Sequence, residues 1–207
     1  MLSNSKYKNI ALAYDFLDWP FEYFRYKAIR KNIFSGLSGH ILDAGIGTGR
    51  NIIFYPKNSN VIGIDNSTQM LKISEKRLSN TNSDNITLVA NDVQSCAFRS
   101  NTFDSIVVTF MFCTLNKEQQ LEALKELHRV LKPNGIIKIL DYNYSQIPIR
   151  KLIMKIWAPW VYLAYGAGFN RALDINTIKG SGLKKTSQHF VYKDMISIST
   201  FETSNEN

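Results

Sequence analysis

The chain has 207 residues, 44% of them hydrophobic, and a formal net charge of +8. That length supports one domain with a real core, and no run reaches the ~18 uninterrupted apolar residues of a membrane span. The start, Met1-Leu2-Ser3-Asn4-Ser5-Lys6, lacks an apolar signal core, and Cys96 and Cys113, without metal-like spacing, read as reduced thiols of a cytoplasmic protein.

Pro20 to Ile33, rich in aromatics and bases, predicts a helix leading into the first strand. His40-Ile41-Leu42-Asp43-Ala44-Gly45-Ile46-Gly47-Thr48-Gly49 reads as a buried strand, a glycine turn and a helix from Gly49 to about Tyr55. Alternating glycines let a ligand lie against bare backbone. Amides at a helix start would point at that ligand. A dinucleotide fingerprint needs a third glycine at position 50, where Arg50 stands. The spacing is instead Asp-x-Gly-x-Gly-x-Gly, with Asp43 two residues before Gly45. That carboxylate repels a pyrophosphate and attracts an ammonium group. S-adenosylmethionine carries an amino-acid head group and a sulfonium, and no phosphate.

Val61-Ile62-Gly63-Ile64-Asp65 is a second strand ending in an acid, 20 positions beyond Gly45. Open α/β sheets place a carboxylate at that distance on a ribose diol. Ser67 caps a helix running to about Leu78, and residues 80–85 form a polar loop. Ile86 to Asp92 is a third strand, again ending in an acid, and Phe103 to Thr109 a fourth. Lys117 to Leu131 is an amphipathic helix with Leu121, Leu124, Leu127 and Leu131 on one stripe. Gly135 to Asp141 is a fifth strand. This βαβ rhythm predicts an α/β fold, a parallel sheet with helices on both faces. Alternation over residues 185–201 predicts two closing strands, and the tail from Glu202 reads as loose.

With these residues in place, the chain resembles the class I S-adenosylmethionine-dependent methyltransferases over roughly residues 10–200. The likeness rests on Tyr14-Asp15, the Gly45 motif, Phe103-Asp104, Phe112-Cys113-Thr114-Leu115 and Leu127-His128-Arg129-Val130-Leu131-Lys132-Pro133-Asn134-Gly135. It points to the branch of small-molecule and lipid enzymes: ubiquinone/menaquinone C-methyltransferases, phosphatidylethanolamine N-methyltransferases and methyltransferase-like thiol methyltransferases. The resemblance implies a Rossmann-like seven-stranded, mostly parallel sheet of order 3-2-1-4-5-7-6. Residues 1–207 then form a single methyltransferase domain.

The resemblance also assigns roles. Asp43 and the backbone of Gly45, Gly47 and Gly49 would hold the methionine end of S-adenosyl-L-methionine. Asp65, with Asn66 beside it, would accept from the ribose hydroxyls. Asp92 and the Val93 amide would meet adenine, and Met70 would pack against it. Thr109 would lend its backbone to the ammonium, and Tyr14 would close over the cofactor or be buried. Aligning nucleophile, methyl and leaving sulfur is the protein's main task, so no metal is required. Relatives often carry Glu-His after the fifth strand, where this chain has Asp141-Tyr142. Asp141 or Tyr142 is therefore the candidate to orient or deprotonate an acceptor, against a plain polar strand end.

An insertion near 144–172 interrupts the pattern. Within Ile147 to Leu163, Arg150, Lys151 and Lys155 lie on one helix side, and Leu152, Ile153, Ile156 and Trp157 on the other. Such a helix is either a lid over the sheet, a contact with anionic membrane, or both. The basic excess also raises nucleic acid, but no DNA- or RNA-binding motif is visible. The expected acceptor is a small apolar or lipid-like molecule: a phospholipid amine, a quinone precursor or a thiol. The location would be cytoplasmic, with peripheral membrane contact. The alternatives are a non-catalytic cofactor-binding protein on membranes, an RNA methyltransferase, or a nucleotide-dependent oxidoreductase, which Arg50 argues against.

Overall fold

The computed structural model describes residues 27–165, 168 and 172–203. Tyr14 and the first part of the expected Pro20–Ile33 helix lie outside the described residues. In chain order the elements are α1 (Lys27–Ile33), β1 (Gly39–Ala44), β2 (Ser59–Asp65), α2 (Thr68–Leu78), β3 (Ile86–Ala90) and β4 (Phe103–Thr109). They continue with α3 (Lys117–Val130), β5 (Leu131–Tyr142), α4 (Pro148–Tyr165), α5 (Ile175–Gly180), β6 (Leu183–Tyr192) and β7 (Ile196–Thr203).

The strands form one sheet in the order 3-2-1-4-5-7-6. Neighbours among β1 to β5 run parallel, and β7 is antiparallel to both β5 and β6. The central strands are apolar on both sides because helices cover both faces. Leu42, Ile106, Val108 and Ile137 pack one face with Leu124 and Leu127 of α3. Their alternates Ile41, Val61, Val107 and Leu140 pack the other with Ile29, Ile33 and Leu71. The period of two in the strand sequences thus becomes two cores.

Local signals set the helix starts. Ser67 Oγ accepts from the Met70 amide at the start of α2. Asn116 and Gln119 form a reciprocal capping box at the start of α3. Leu121 is only half-buried and Leu131 opens β5, so the expected leucine stripe is narrower than its sequence suggests. β5 begins at Leu131, before the expected Gly135, so Pro133-Asn134-Gly135 lies within the strand. It is a bulge inside β5, where pairing jumps from Phe103–Leu131 to Ser105–Ile136 and Asn134 takes φ +64°.

Three other expectations change. No α-helix follows Gly49: turns lead into a 3-10 helix, Ile52–Phe54. Pro56 explains the stop, because it forces Tyr55 into an extended conformation (ψ 139°). Asp92 lies beyond the end of β3, in a loop where its Oδ1 accepts from the Gln94 amide at 2.9 Å. Glu202 and Thr203 belong to β7, paired with Ile136 and Leu183, so the strand runs further than its polar composition implies.

Two of the three bases of α4, Arg150 and Lys151, make contacts within the protein, while Lys155 is exposed. Arg150 forms an ion pair with Asp194 of the β6–β7 turn at 2.8 Å. Lys151 Nζ lies 5.3 Å from the centre of the Tyr144 ring. Met154 is buried, whereas Leu152, Ile153, Ile156 and Trp157 are exposed.

Candidate functional site

Parallel pairing aligns the strand ends on one edge, where open α/β sheets bind ligands. Ala44 sits level with Ile64 and Val108, Asp65 with Ala90, and Thr109 with Leu140. Asp43, the glycine turn, Asp65, Thr109 and Asp141 therefore gather on that edge.

The glycine turn is clamped from the side of β2 and α2. Gly45 and Ile46 donate their amides to the Ile64 carbonyl, both at 2.9 Å. Gly47 donates to Asp65 Oδ2 at 2.9 Å. Ser74 Oγ donates to the Gly47 carbonyl and Arg77 to the Thr48 carbonyl. All three motif glycines take positive φ, between +58° and +79°. They do not share one task. A Cβ at Gly45 would lie 2.9 Å from Met111 Sδ, and one at Gly49 would lie 3.0 Å from Ser74 Cα. Those two glycines allow close packing inside the protein. Among the described residues, Gly47 alone of the three has no atom within 4 Å of the position a Cβ would take.

Asp43 is fully buried beneath the turn. Its Oδ2 accepts from Tyr55 Oη at 2.5 Å and from Asn51 Nδ2 at 2.8 Å. Its Oδ1 has no hydrogen-bond partner among the described residues. Burial pushes the Asp43 carboxyl up to about 6, against the lowering effect of Tyr55, Asn51 and the Arg30 charge. An unpartnered buried carboxylate oxygen is costly and suits a cationic donor.

Arg30, Asn51 and Tyr55 were not singled out by the sequence motifs. Buried Arg30 donates to Asn51 Oδ1 at 2.8 Å and to Thr109 Oγ1 at 3.2 Å, and Asn51 also donates to Thr109 Oγ1. The network ties α1, β1 and β4 together under the turn. Phe110 was missed as well. It takes φ +53°, a strained conformation for an aromatic residue. Its ring lies 5.5 Å from the Arg30 guanidinium and 5.0 Å from the Tyr142 ring.

The other expected residues occupy distinct places. Asp65 accepts at Oδ1 from the Ser67 amide at 2.8 Å, so both its oxygens already hold backbone. Two of its roughly four lone-pair sites remain for a ligand. Burial raises its carboxyl above the ordinary value. Asn66 is exposed and Met70 half-buried at the start of α2. The Val93 side chain belongs to the core, leaving its backbone for ligand contact. Asp141 Oδ2 accepts from the Cys113 amide at 2.9 Å and Oδ1 from the Tyr142 amide at 2.7 Å. Burial pushes that carboxyl up to about 6 despite these amides. Asp141, Tyr142 and Asn143 line a cavity of about 240 Å³ together with Gln188, Ser197 and Leu173.

Comparison with known proteins shows the family. Residues 41–135, which span the glycine turn through the β5 bulge, match the family model described as a methyltransferase domain. The chain is 30% identical over 174 residues to demethylmenaquinone methyltransferase of Staphylococcus haemolyticus, covering 80% of this chain and 71% of that one. It is 31% identical to the enzyme of that name from Staphylococcus saprophyticus, covering 81% and 74%. The chain belongs to the class I S-adenosylmethionine-dependent methyltransferases. Its fold matches a SAM-dependent methyltransferase from Aquifex aeolicus, with TM-score 0.66, 19% identity and coverage of 97% and 99%. It also matches the fold of geranyl diphosphate C-methyltransferase from Streptomyces coelicolor, with TM-score 0.68, 11% identity and coverage of 86% and 79%. The cofactor of this methyltransferase is S-adenosyl-L-methionine. The cradle fits it: an open Gly47, an unpartnered acceptor on Asp43 and a carboxylate at the end of β2.

Proposed function

We propose that this methyltransferase acts on an apolar, quinone-type acceptor. The carrying observation is its likeness to demethylmenaquinone methyltransferases over four-fifths of the chain. When bound, S-adenosylmethionine supplies an electrophilic methyl group on its sulfonium. The protein's residues bind and orient around it. Asp43 holds the amino-acid end, which lies against the bare Cα of Gly47, with the Thr109 backbone beside them. Asp65 takes the ribose hydroxyls through its remaining lone pairs, next to Asn66. Asp92 and the Val93 amide meet the adenine edge, and Met70 packs on its ring.

On the acceptor side, Asp141 is the group to receive a proton. It lies near the end of β5, adjacent to the β4 edge, and lines the cavity. A carboxyl poised at about 6 is protonated more readily than an ordinary one. Loss of a proton from a ring hydroxyl makes the neighbouring ring carbon nucleophilic, which suits a reduced quinone. Tyr142, packed on Phe110, orients the ring.

The test is incubation of the protein with methyl-labelled S-adenosylmethionine and one acceptor at a time. Reduced demethylmenaquinone, phosphatidylethanolamine and an alkyl thiol are compared, with mass spectrometry of the products. Label in the quinone alone is the expected result. Label in the amine or the thiol, with none in the quinone, overturns the reading. Asp141→Asn should lower kcat on the quinone while leaving cofactor affinity unchanged.

A further inference from the structure

We propose that the outward face of α4 is a docking surface for an anionic lipid bilayer. Ile149, Leu152, Ile153, Ile156, Trp157 and Trp160 recur at helical spacing and lie on one arc. They are 49–69% exposed. A surface helix ordinarily turns such an arc onto the core. Here the opposite side makes the core contact, through buried Met154. The Arg150–Asp194 ion pair, with Ser145 Oγ and the Gln146 amide also donating to Asp194, fixes that orientation. Turning the arc inward would break all of these. A contiguous apolar patch of this size marks an interaction surface.

Charge selects the occupant. From Tyr142 to Leu173 the chain has no Asp or Glu and four bases, Arg150, Lys151, Lys155 and Arg171. Lys155 is exposed, one step around the helix from the Leu152 edge of the arc. Lys193, also exposed, stands in the β6–β7 turn beside Asp194. An apolar centre with tryptophans and a positive rim is the pattern of a helix lying in a membrane interface. A second copy of the chain would bring the same positive rim, so a two-fold contact would set lysine against lysine. Among the described residues no helix is long and apolar enough to cross a membrane. The helix therefore lies on the bilayer rather than through it.

The full chain is tested by sedimentation with vesicles of phosphatidylcholine, with and without phosphatidylglycerol. The wild type should sediment with the anionic vesicles at low salt and be released as salt rises. The triple variant Ile153→Ser, Trp157→Ser, Trp160→Ser should partition at least about tenfold less. Lys155→Gln alone should lose about fivefold. Calorimetry with S-adenosylmethionine should show unchanged affinity in both, which certifies that they fold. Brominated acyl chains should quench Trp157 and Trp160. A wild type that stays in the supernatant overturns the proposal, as does a triple variant that sediments like the wild type. So does a wild-type dimer, seen by light scattering, that the triple variant dissolves into monomers. No methyl acceptor enters the assay, so the outcome is independent of the quinone reading.

Discussion

Asp43→Asn tests the electrostatic design of the cofactor cradle. The replacement is nearly isosteric. Its amide oxygen can still accept from Tyr55 and Asn51, and its NH2 takes the place of the unpartnered Oδ1. The wild-type carboxyl is pushed from 3.8 up to about 6 by burial. A raised acid favours the folded state fully below pH ~4 and loses that stability as pH rises through about 6. Two pH units correspond to about 3 kcal/mol. Without cofactor, the variant should therefore gain stability relative to wild type between pH 4 and 7. Cofactor binding has the opposite demand, because an ammonium needs the ionised carboxylate. Wild-type affinity should rise up to about tenfold per pH unit approaching 6, then fall above ~8 as the ligand's α-amino group loses its proton. The variant should lack the lower limb and bind about 10- to 150-fold more weakly at neutral pH, the effect of losing a charged hydrogen bond. Titration calorimetry from pH 5 to 9 measures both. Wild-type affinity flat between pH 5 and 7, or a variant binding within about twofold of wild type, would refute the pairing of Asp43 with the ligand's ammonium.

The glycines separate by partner. Gly47→Val should fold with a modest loss, about 1–2 kcal/mol for its φ of +58°, yet bind no cofactor, because its side chain fills open space on the ligand side. Gly49→Val should fail to fold, since its Cβ meets the Ser74 backbone. Thermal melts by circular dichroism and calorimetry distinguish the two, and a folded Gly47→Val protein with normal binding would remove the turn from the site. Asp65→Ala should weaken cofactor binding by about 1.5–3 kcal/mol, through the lost ribose acceptor and through release of the Gly47 amide. Unchanged affinity in that variant would leave Asp65 with a purely structural role.

The fold was legible because its signals are local and repeated. Each central strand holds a short apolar run. Ser67 and Asn116 announce their helices by capping, and the acid at position 65 stands at a strand end. The 3-10 helix after Gly49 was not read, although Pro56 was visible. The glycine motif suggested a helix, and the proline's effect on Tyr55 outweighs it. Helix amides consequently cannot be the source of ligand binding at the turn, since Gly45 and Gly47 spend theirs on Ile64 and Asp65. The network of Arg30, Asn51 and Tyr55 had no sequence signal, because its members reach Asp43 and Thr109 from separate elements.

The orientation of α4 shows the same limit in another form. Amphipathicity gives two faces and does not say which one meets the protein. A distant carboxylate, Asp194, settles it here by holding Arg150. An ion pair with each side chain about one-quarter to one-third exposed contributes little stability by itself. It acts with Ser145 and Gln146 on the same carboxylate, whose acidity these donors strengthen well below the usual range. That anchor is local and polar, while the apolar arc it leaves outside is large. That imbalance is the observation on which the proposed docking of α4 to a bilayer rests.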